Sequence, residues 1–383
     1  MNTSAEVLQK FKERFPGEPT LIKANGRINL IGEHTDYNNG FVLPGAVDKH
    51  IYFAMRINDT QTTNLYAADI DESFSFSLDD FAPGDTLWAN YLMGIVQQMQ
   101  NDGHQLGGID CVFGGTLPIG SGMSSSAAME CGMGFGLKTL FDLPYERMEL
   151  ALLAQHSSHQ FVGVPCGIMD QFISMMGKDH QLVLLDCRSL EYEYYPADLP
   201  GYQLVLLNSK VSHDLASGAY GERVAQCKAG VEILRKHYPE VGSLRDVTPD
   251  MLQTHQSEFD PVVYRRCKYV VEEAIRVMQV CEMLKKNEVS GVGDLLFQTH
   301  AGLRDDYEVS CKEIDWLVDF AVKHPAAIGA RVMGGGFGGC TINLVKEDQV
   351  DEYIAAALAA YKEETSVDGE AYMVGLDDGT EVI

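Results

Sequence analysis

The sequence predicts an α+β fold divided into two domains. Strand-like and helical segments are mixed in the first half without the regular βαβ alternation of a doubly wound sheet. From Gly218 the pattern turns helical, and strand-like segments return only near Arg331. The 383 residues are enough for two domains. We place the boundary in the segment 196–201, which gives domains of residues 1–198 and 199–383.

The first half begins with a predicted helix over residues 4–15. Val7, Phe11 and Phe15 recur on one helical face, and Pro16-Gly17 ends the helix. Segments rich in apolar or alternating residues predict strands at 20–23, 40–43, 51–56, 63–67, 73–78, 109–114, 182–186 and 203–208. Apolar residues at helical spacing predict helices at 88–101 and 145–161. A third helix is predicted to follow a loop within the segment 118–134, and a fourth to begin near residue 168.

The second half is predicted to be mostly helical. Helical periodicity covers residues 220–237, 262–286, 289–300, 313–324 and 349–361. Short apolar segments predict strands at 331–333, 341–345 and 371–374. Most of the predicted helices of this half therefore precede its strands in the sequence.

Composition excludes several classes of protein. The 29 basic and 55 acidic residues give a net charge of −26, which repels nucleic acids and anionic membranes as general partners. The N-terminus lacks the basic flank and apolar block of a signal peptide, and no apolar run is long enough to span a membrane. Nine widely spaced cysteines without a CxxC pair are typical of a reducing compartment. We therefore expect a cytoplasmic protein.

The first motif covers residues 26–40 and places many polar side chains on one segment. Glu33, His34, Thr35 and Asp36 directly follow a short apolar patch. Carboxylates and hydroxyls in this arrangement suit recognition of a polyol such as a sugar. The alternative is a polar hairpin turn closing on Asn39-Gly40, and without other information this alternative is favoured.

The second motif, residues 117–128, is rich in glycine and serine. Its glycines allow close backbone approach, successive N–H groups can surround an anion, and the following helix points its positive end at the bound group. Serine hydroxyls add donors or a magnesium ligand. The motif lacks the Gly-Lys-Ser/Thr ending of a Walker loop and the GxSxG of a nucleophile elbow. A close helix-packing site is the alternative.

Two further segments have both a functional and a structural interpretation. Residues 333–340 contain five glycines and predict either a binding turn or a strand-to-strand turn that another loop approaches. Asp170, in the segment 167–171, is either a helix cap or a general base for a substrate hydroxyl. If Asp170 is a base, Arg27 is the natural partner to keep it ionised.

Taken together, the four segments closely resemble the galactokinase branch of the GHMP sugar kinases. Residues 26–38 resemble the sugar-binding signature of that family, and residues 117–128 resemble its nucleotide phosphate loop. Residues 166–172 and 186–190 are similar to further blocks. The order and the spacing agree as well, over essentially the whole chain.

The resemblance implies an α+β two-domain GHMP kinase fold with the active site in the cleft between the domains. The implied activity is phosphorylation of the C1 hydroxyl of galactose by ATP and Mg²⁺, giving galactose 1-phosphate. Asp170 would take the proton of that hydroxyl, and Arg27 would hold Asp170 ionised and steady the phosphoryl group. The partners would be a small-molecule sugar and ATP, and the chain would be a monomer.

The resemblance also implies the binding residues. The sugar would be bound by Glu33, His34, Thr35, Asp36 and Tyr220. The phosphates of ATP would be held by Gly120, Ser121, Gly122, Met123, Ser124, Ser125 and Ser126. The hydroxyl of Ser126 would also be a magnesium ligand.

The sequence departs from the family pattern at several positions. Asn25 replaces a proline before the arginine, and Ser158 replaces a glutamate that is the usual second magnesium ligand. Near Tyr220, Gly221 and Val224 are among the changes that remove polar groups. Two alternatives therefore stay open: a kinase for a related sugar such as N-acetylgalactosamine or galacturonate, and a non-catalytic sugar or ATP sensor.

Overall fold

A computed structural model describes residues 2–118, 120–212 and 216–383. Ile119, inside the second motif, lies outside the described residues. In chain order the elements of the first half are α1 (Ser4–Arg14), β1 (Thr20–Asn29), β2 (Phe41–Val42), β3 (Pro44–Ile57), β4 (Thr62–Ala67), β5 (Glu72–Ser77), α2 (Leu87–Asn101), β6 (Ile109–Gly115), α3 (Ser125–Phe141), α4 (Arg147–Ser157), α5 (Met169–Met176), β7 (Gln181–Asp186) and β8 (Tyr192–Pro196).

The second half begins with a long strand and continues with helices, as the sequence predicts. Its elements are β9 (Tyr202–Ser212), α6 (Ala216–Arg235), α7 (Pro249–Thr254), α8 (Pro261–Lys285), α9 (Val289–Ala301), α10 (Lys312–Lys323), β10 (Ala327–Val332), β11 (Gly338–Lys346), α11 (Val350–Thr365), β12 (Glu370–Met373) and β13 (Glu381–Val382).

The described strands form three sheets. The largest has the order β13-β1-β3-β6-β4-β5, in which only the β4–β6 pairing is parallel. A second sheet has the order β10-β11-β9-β12 and is antiparallel, and a third small sheet has the order β2-β7-β8. Mixed helices and mainly antiparallel sheets confirm the predicted α+β class.

One apolar core extends through both halves of the chain. Ile28 and Phe53 from the largest sheet belong to the same buried cluster as Val277 of α8 and Ile342 of β11. The last strand, β13, also pairs with β1, so the end of the chain returns to the first sheet. The boundary at residue 198 stays a prediction.

Several elements differ from the sequence predictions. β1 does not end at residue 23 but continues to Asn29, because a bulge between Asn25 and Arg27 lets the pairing with β3 resume. The predicted Asn39-Gly40 hairpin turn is instead a short 3₁₀ turn, Asp36–Asn38, ending at Asn39 in a left-handed conformation. The predictions missed β8, α7 and β13, which are short and carry little periodicity.

None of the helices within the described ranges is both long and apolar enough to cross a bilayer.

Candidate active site

The site is built around an ion pair between Arg27 of β1 and Asp170 of α5. Arg27 Nε donates to Asp170 Oδ1 at 2.8 Å, and Arg27 Nη2 donates to Asp170 Oδ2 at 3.1 Å. This two-point contact fixes the carboxylate in one plane. Burial alone would lower the pKa of Arg27, but the charges of Asp170 and Glu33 outweigh burial and raise that pKa. The guanidinium therefore stays charged.

Gly26, at the bulge in β1, lies close to the serine-rich loop. At Gly26 a Cβ atom would lie 2.3 Å from the Leu117 side chain and 2.9 Å from the Met123 carbonyl oxygen. Glycine therefore allows β1 to approach the serine-rich loop closely. The Arg27 N–H donates to that Met123 carbonyl at 3.0 Å, and Arg27 Nη1 donates to the Gly122 carbonyl.

Asp170 lies in the first turn of α5 and is partly exposed. In addition to the guanidinium of Arg27, the hydroxyl of Ser124 donates to Asp170 Oδ2. No hydrogen bond from its side chain to the N-terminal backbone of α5 is present among the described contacts, so the geometry does not support the helix-cap alternative. Asp170 instead points into the space between β1 and the serine-rich loop.

Glu33 is held by a buried cation that the sequence analysis missed. Arg331, fully buried in β10, donates from Nη1 to Glu33 Oε1 at 3.0 Å. The backbone N–H of Gly334 donates to the same oxygen at 2.8 Å. The guanidinium of Arg331 also bonds to carbonyls of β1 and of the residue after it, Leu30. Arg331 therefore ties β10 to the first motif.

His34 lies in a wall of aromatic rings. Its ring centroid is 4.8 Å from that of Tyr307 and 5.8 Å from that of Tyr220, and its Nδ1 is 2.9 Å from the hydroxyl of Tyr37. Burial lowers the pKa of His34 to about 4 despite the nearby charge of Glu33, so the imidazole is neutral at pH 7. Its Nε2 is buried and has no hydrogen-bond partner in the described part of the chain.

Asp36 is a half-buried carboxyl group in the same region. Burial raises the pKa of Asp36 to about 7, and the charges of Asp170 and Glu33 add to the effect. Gly167 packs directly against this carboxyl group: a Cβ there would lie 1.7 Å from Asp36 Oδ2. Glycine at position 167 is therefore required for the observed position of Asp36.

The serine-rich loop curls over the N-terminus of α3. Gly120, Gly122 and Ser124 have left-handed φ angles of 72°, 74° and 57°. The Ser121 hydroxyl donates to the Pro118 carbonyl at 2.7 Å and braces the loop. A helix N-terminus with a tightly curved, serine-rich loop is a favourable environment for an anion.

The glycine-rich third motif is the turn between β10 and β11. Gly336 packs so closely that a Cβ would lie 2.1 Å from the Val309 carbonyl, and Gly334 faces the carbonyl of Gly122. The motif is thus a strand-to-strand turn approached by another loop, as one of the two interpretations expected. Gly334 and Gly335 also line the site.

Two cavities meet at the ion pair. One, of about 210 Å³, is lined by polar residues of the first motif together with Tyr220 and Asp170. The other, of about 230 Å³, is lined by the serine-rich loop. Arg27 and Ser126 line both cavities. The arrangement can hold a polyhydroxyl compound beside an anion, with a carboxylate and a guanidinium between them.

A second buried network lies behind the site. Glu130 of α3 is fully buried, with its Oε1 2.5 Å from the Ser158 hydroxyl and its Oε2 accepting from Gln171 Nε2 at 3.0 Å. Burial raises the pKa of Glu130 to about 8, although both hydrogen bonds oppose that shift. Glu130 is therefore protonated at neutral pH. The sequence analysis did not single out Glu130, because an acidic residue within a helix carries no local signal.

The structure brings most of the predicted site residues together. Those that line one or both cavities are Arg27, Glu33, His34, Asp36, Gly120, Ser121, Gly122, Met123, Ser124, Ser125, Ser126, Asp170 and Tyr220. Thr35 does not join them, since its hydroxyl lies 2.8 Å from the Gly32 carbonyl and 2.6 Å from the Phe41 carbonyl. Ser158 is also absent from the lining, because it is buried against Glu130.

The departures from the family pattern have local explanations. The Asn25 side chain donates to the Val47 carbonyl at 2.9 Å, so it stabilises the start of the bulge in place of a rigid proline. Gly221 faces open space on α6. Arg223 still places a cation beside the aromatic wall, where it donates to the Tyr307 carbonyl at 2.7 Å.

Comparison with known proteins agrees with this geometry. Residues 9–57 match the family model of the galactokinase galactose-binding signature. Residues 90–178 match the GHMP kinase N-terminal domain, and residues 282–363 match the GHMP kinase C-terminal domain. A galactokinase of Roseiflexus sp. is 37% identical over 380 residues, covering 99% of this chain and 97% of the relative.

The chain belongs to the galactokinase family.

Other members of this family are similar over nearly their full length. The galactokinase of Bacillus subtilis is 38% identical over 93% of this chain and 92% of its own. The Lactococcus lactis galactokinase, solved in complex with galactose, superposes with a TM-score of 0.94 at 31% identity over 99% of both chains. This likeness confirms the predicted GHMP kinase fold. A mevalonate kinase of Methanococcus jannaschii, 15% identical with a TM-score of 0.65, shares the fold alone.

Proposed function

We propose that this galactokinase transfers the terminal phosphoryl group of ATP to the C1 hydroxyl of galactose, with Asp170 as the base. The observation that carries the proposal is the Arg27–Asp170 pair at the junction of the two cavities. A base must reach the hydroxyl that attacks, and a cation must neutralise charge on the transferring phosphoryl group. The junction is where both requirements meet.

The cavity of the first motif suits the sugar. Glu33 and Asp36 present carboxyl oxygens, and the neutral imidazole of His34 presents a buried nitrogen without a partner. These groups can accept or donate hydrogen bonds to a set of ring hydroxyls. Tyr220 closes the cavity from the second half of the chain. We assign sugar binding to these four residues and give Thr35 the supporting role of bracing the loop.

The cavity of the serine-rich loop suits the phosphates of ATP. The loop lies at the N-terminus of the 17-residue helix α3, whose dipole favours negative charge. This local environment overcomes the negative field of a chain with a net charge of −26. We assign phosphate binding to the segment 120–126.

The residues present fit a magnesium ion that enters with the nucleotide. Magnesium in such sites is held by one or two protein oxygens, with phosphate oxygens and water completing the shell. The hydroxyl of Ser126, a residue that lines both cavities, would be the protein ligand. Glu130 is a poor ligand because it is protonated at neutral pH, and Ser158 is turned toward it. When bound, the ion neutralises charge on the phosphate oxygens.

The proposed step transfers one proton and one phosphoryl group. The C1 hydroxyl gives its proton to an Asp170 carboxylate oxygen as its own oxygen forms the new bond to phosphorus. The bond between that phosphorus and the bridging oxygen of ADP breaks, and ADP leaves. Arg27 holds the orientation of Asp170 throughout and stays charged.

Removing the base tests the mechanism. We expect Asp170→Asn to lower kcat by about two to four orders of magnitude while galactose binding, measured by calorimetry, stays within a fewfold. Asp250→Asn, an exposed carboxylate in α7, is the matched control and should retain full activity. Normal turnover of Asp170→Asn would exclude Asp170 as the base.

A panel of sugars tests the substrate. Magnesium-ATP is incubated with galactose, N-acetylgalactosamine, galacturonate, arabinose or glucose, and the products are read by mass spectrometry. We expect a sugar 1-phosphate from galactose at the highest kcat/KM. Preferred transfer to another sugar would favour the related-kinase alternative. Binding of sugar and ATP without any transfer would favour the sensor alternative.

We also propose a cytoplasmic location and a monomeric chain. All nine cysteines are free thiols, and most of them are buried, which fits a reducing compartment. Sedimentation equilibrium should give a mass near the 42.3 kDa of one chain. A mass twice as large would contradict the monomer.

A further inference from the structure

Two imidazoles and one carboxylate converge on the outer side of the second half, away from both cavities. His237 follows α6, His255 follows α7, and Glu258 lies three residues further along. His237 Nε2 is 2.8 Å from Glu258 Oε2, and His255 Nδ1 is 2.8 Å from Glu258 Oε1. Each imidazole thus meets a different oxygen of the same carboxylate.

The geometry of the cluster is compact. The rings of His237 and His255 are stacked, with centroids 3.8 Å apart and planes 20° apart. The candidate ligand atoms of all three side chains lie within 4.8 Å of one another.

The backbone around the cluster is anchored in a hydrophobic core. Leu234 and Leu252, each three positions before one of the histidines, and Phe259, directly after Glu258, belong to one buried cluster. The side chains are 35%, 15% and 41% exposed for His237, His255 and Glu258. The scaffold is therefore held in place, while its polar atoms stay open to solvent for an entering ion and a water ligand.

Two histidine nitrogens and one carboxylate oxygen are a donor set that favours transition metals over magnesium or calcium. Zinc is bound at about 2.0–2.1 Å by such donors, with water at the fourth position. Small side-chain rotations bring the three donors within reach of one ion. We propose that His237, His255 and Glu258 form a zinc site, distinct from the active site.

Binding exchanges hydrogen bonds for metal bonds. In the metal-free form one ring nitrogen of each histidine shares a hydrogen bond with Glu258. In the bound form the same nitrogen gives its lone pair to zinc, and the ring carries its proton on the other nitrogen. The ion would link the end of α6, whose first turns carry Tyr220 and Arg223, to the segment that joins α7 and α8.

The test uses the full chain without an affinity tag, freed of metal by chelation and kept reduced. Zinc binding is measured by calorimetry against a competing chelator, with excess magnesium present. We expect one equivalent of zinc, a dissociation constant of 10 μM or tighter, and a rise in melting temperature. His255→Gln and Glu258→Gln should each weaken binding at least tenfold. His180→Gln, an exposed histidine elsewhere, is the matched control.

Two results of these zinc-binding measurements would overturn the proposed zinc site. It is overturned if wild-type chain binds no zinc at 1 mM, or if both variants, folded by their melting curves, bind zinc as tightly as wild type. X-ray absorption of the zinc complex gives a third measure. Nitrogen and oxygen scatterers alone support the site, whereas sulfur in the coordination shell would place the ion on cysteines instead.

Discussion

Replacement of Glu130 by glutamine should change how stability depends on pH. Glu130 is fully buried between Ser158 and Gln171, and burial raises its pKa to about 8 from the ordinary 4.5. Glutamine has the same shape as a protonated glutamate, with a donor for the Ser158 hydroxyl and an acceptor for the Gln171 amide. Glu130→Gln therefore imitates the neutral form at every pH.

The magnitude follows from the two pKa values. Between pH 4.5 and about 8 the folded chain keeps the proton of Glu130 while the unfolded chain has lost it. Stability from this group is fully present below pH 4.5 and is lost as pH rises toward 8. The loss is about 1.4 kcal/mol per pH unit, and roughly 4–5 kcal/mol over the whole window. The variant lacks this loss.

Urea unfolding at pH 5, 6, 7 and 8 measures the difference. The free energy of unfolding of Glu130→Gln, relative to wild type, should increase steadily with pH. Glu352→Gln, an exposed glutamate in the first turn of α11, should keep a constant difference above pH 5. If the curves of Glu130→Gln and wild type run parallel, then Glu130 is ionised in the folded chain and the reasoning is refuted.

Three further predictions concern the sugar side of the site. Gly167→Ala should raise the galactose dissociation constant, measured by calorimetry, at least tenfold, because its Cβ would lie 1.7 Å from Asp36 Oδ2. The control Gly221→Ala faces open space in α6, so it should leave galactose binding unchanged and add about 0.5–1 kcal/mol of stability. Equal galactose binding by both variants would contradict the expectation for Gly167. The KM for galactose should fall as pH rises from 6 to 8, because Asp36, with a pKa of about 7, becomes charged and then accepts hydrogen bonds from sugar hydroxyls. Asp36→Asn should remove this pH dependence. If the variant keeps the same dependence of KM on pH, Asp36 is excluded as its source. Arg331→Met should lower the free energy of unfolding by about 3–5 kcal/mol, because Glu33 would stay buried without its cation. Adding Glu33→Gln to this variant should restore part of the lost stability. Strictly additive losses of the two substitutions in urea unfolding would refute the coupling.

Much of the fold was predictable because its signals are local. Periodic apolar residues predicted all four ends of α8 and α9 to within one residue, since a helix that packs on a core must repeat its apolar side chains. The class of the fold followed from the mixture of such segments. Short elements such as α7 and β13 were missed because a few residues carry no measurable period, and only packing against the rest of the chain stabilises them.

In the active site, too, local features were predictable from the sequence and long-range contacts were not. The sequence by itself determined the four motifs, their order and the resemblance to galactokinases, because a glycine-rich loop or a run of polar side chains is written in adjacent residues. Only the tertiary structure decided that Arg331 holds Glu33 from 298 positions away, and that Glu130 is enclosed by Ser158 and Gln171. It also turned Thr35 inward. Such contacts depend on where distant elements pack, and burial there sets the charge of each group.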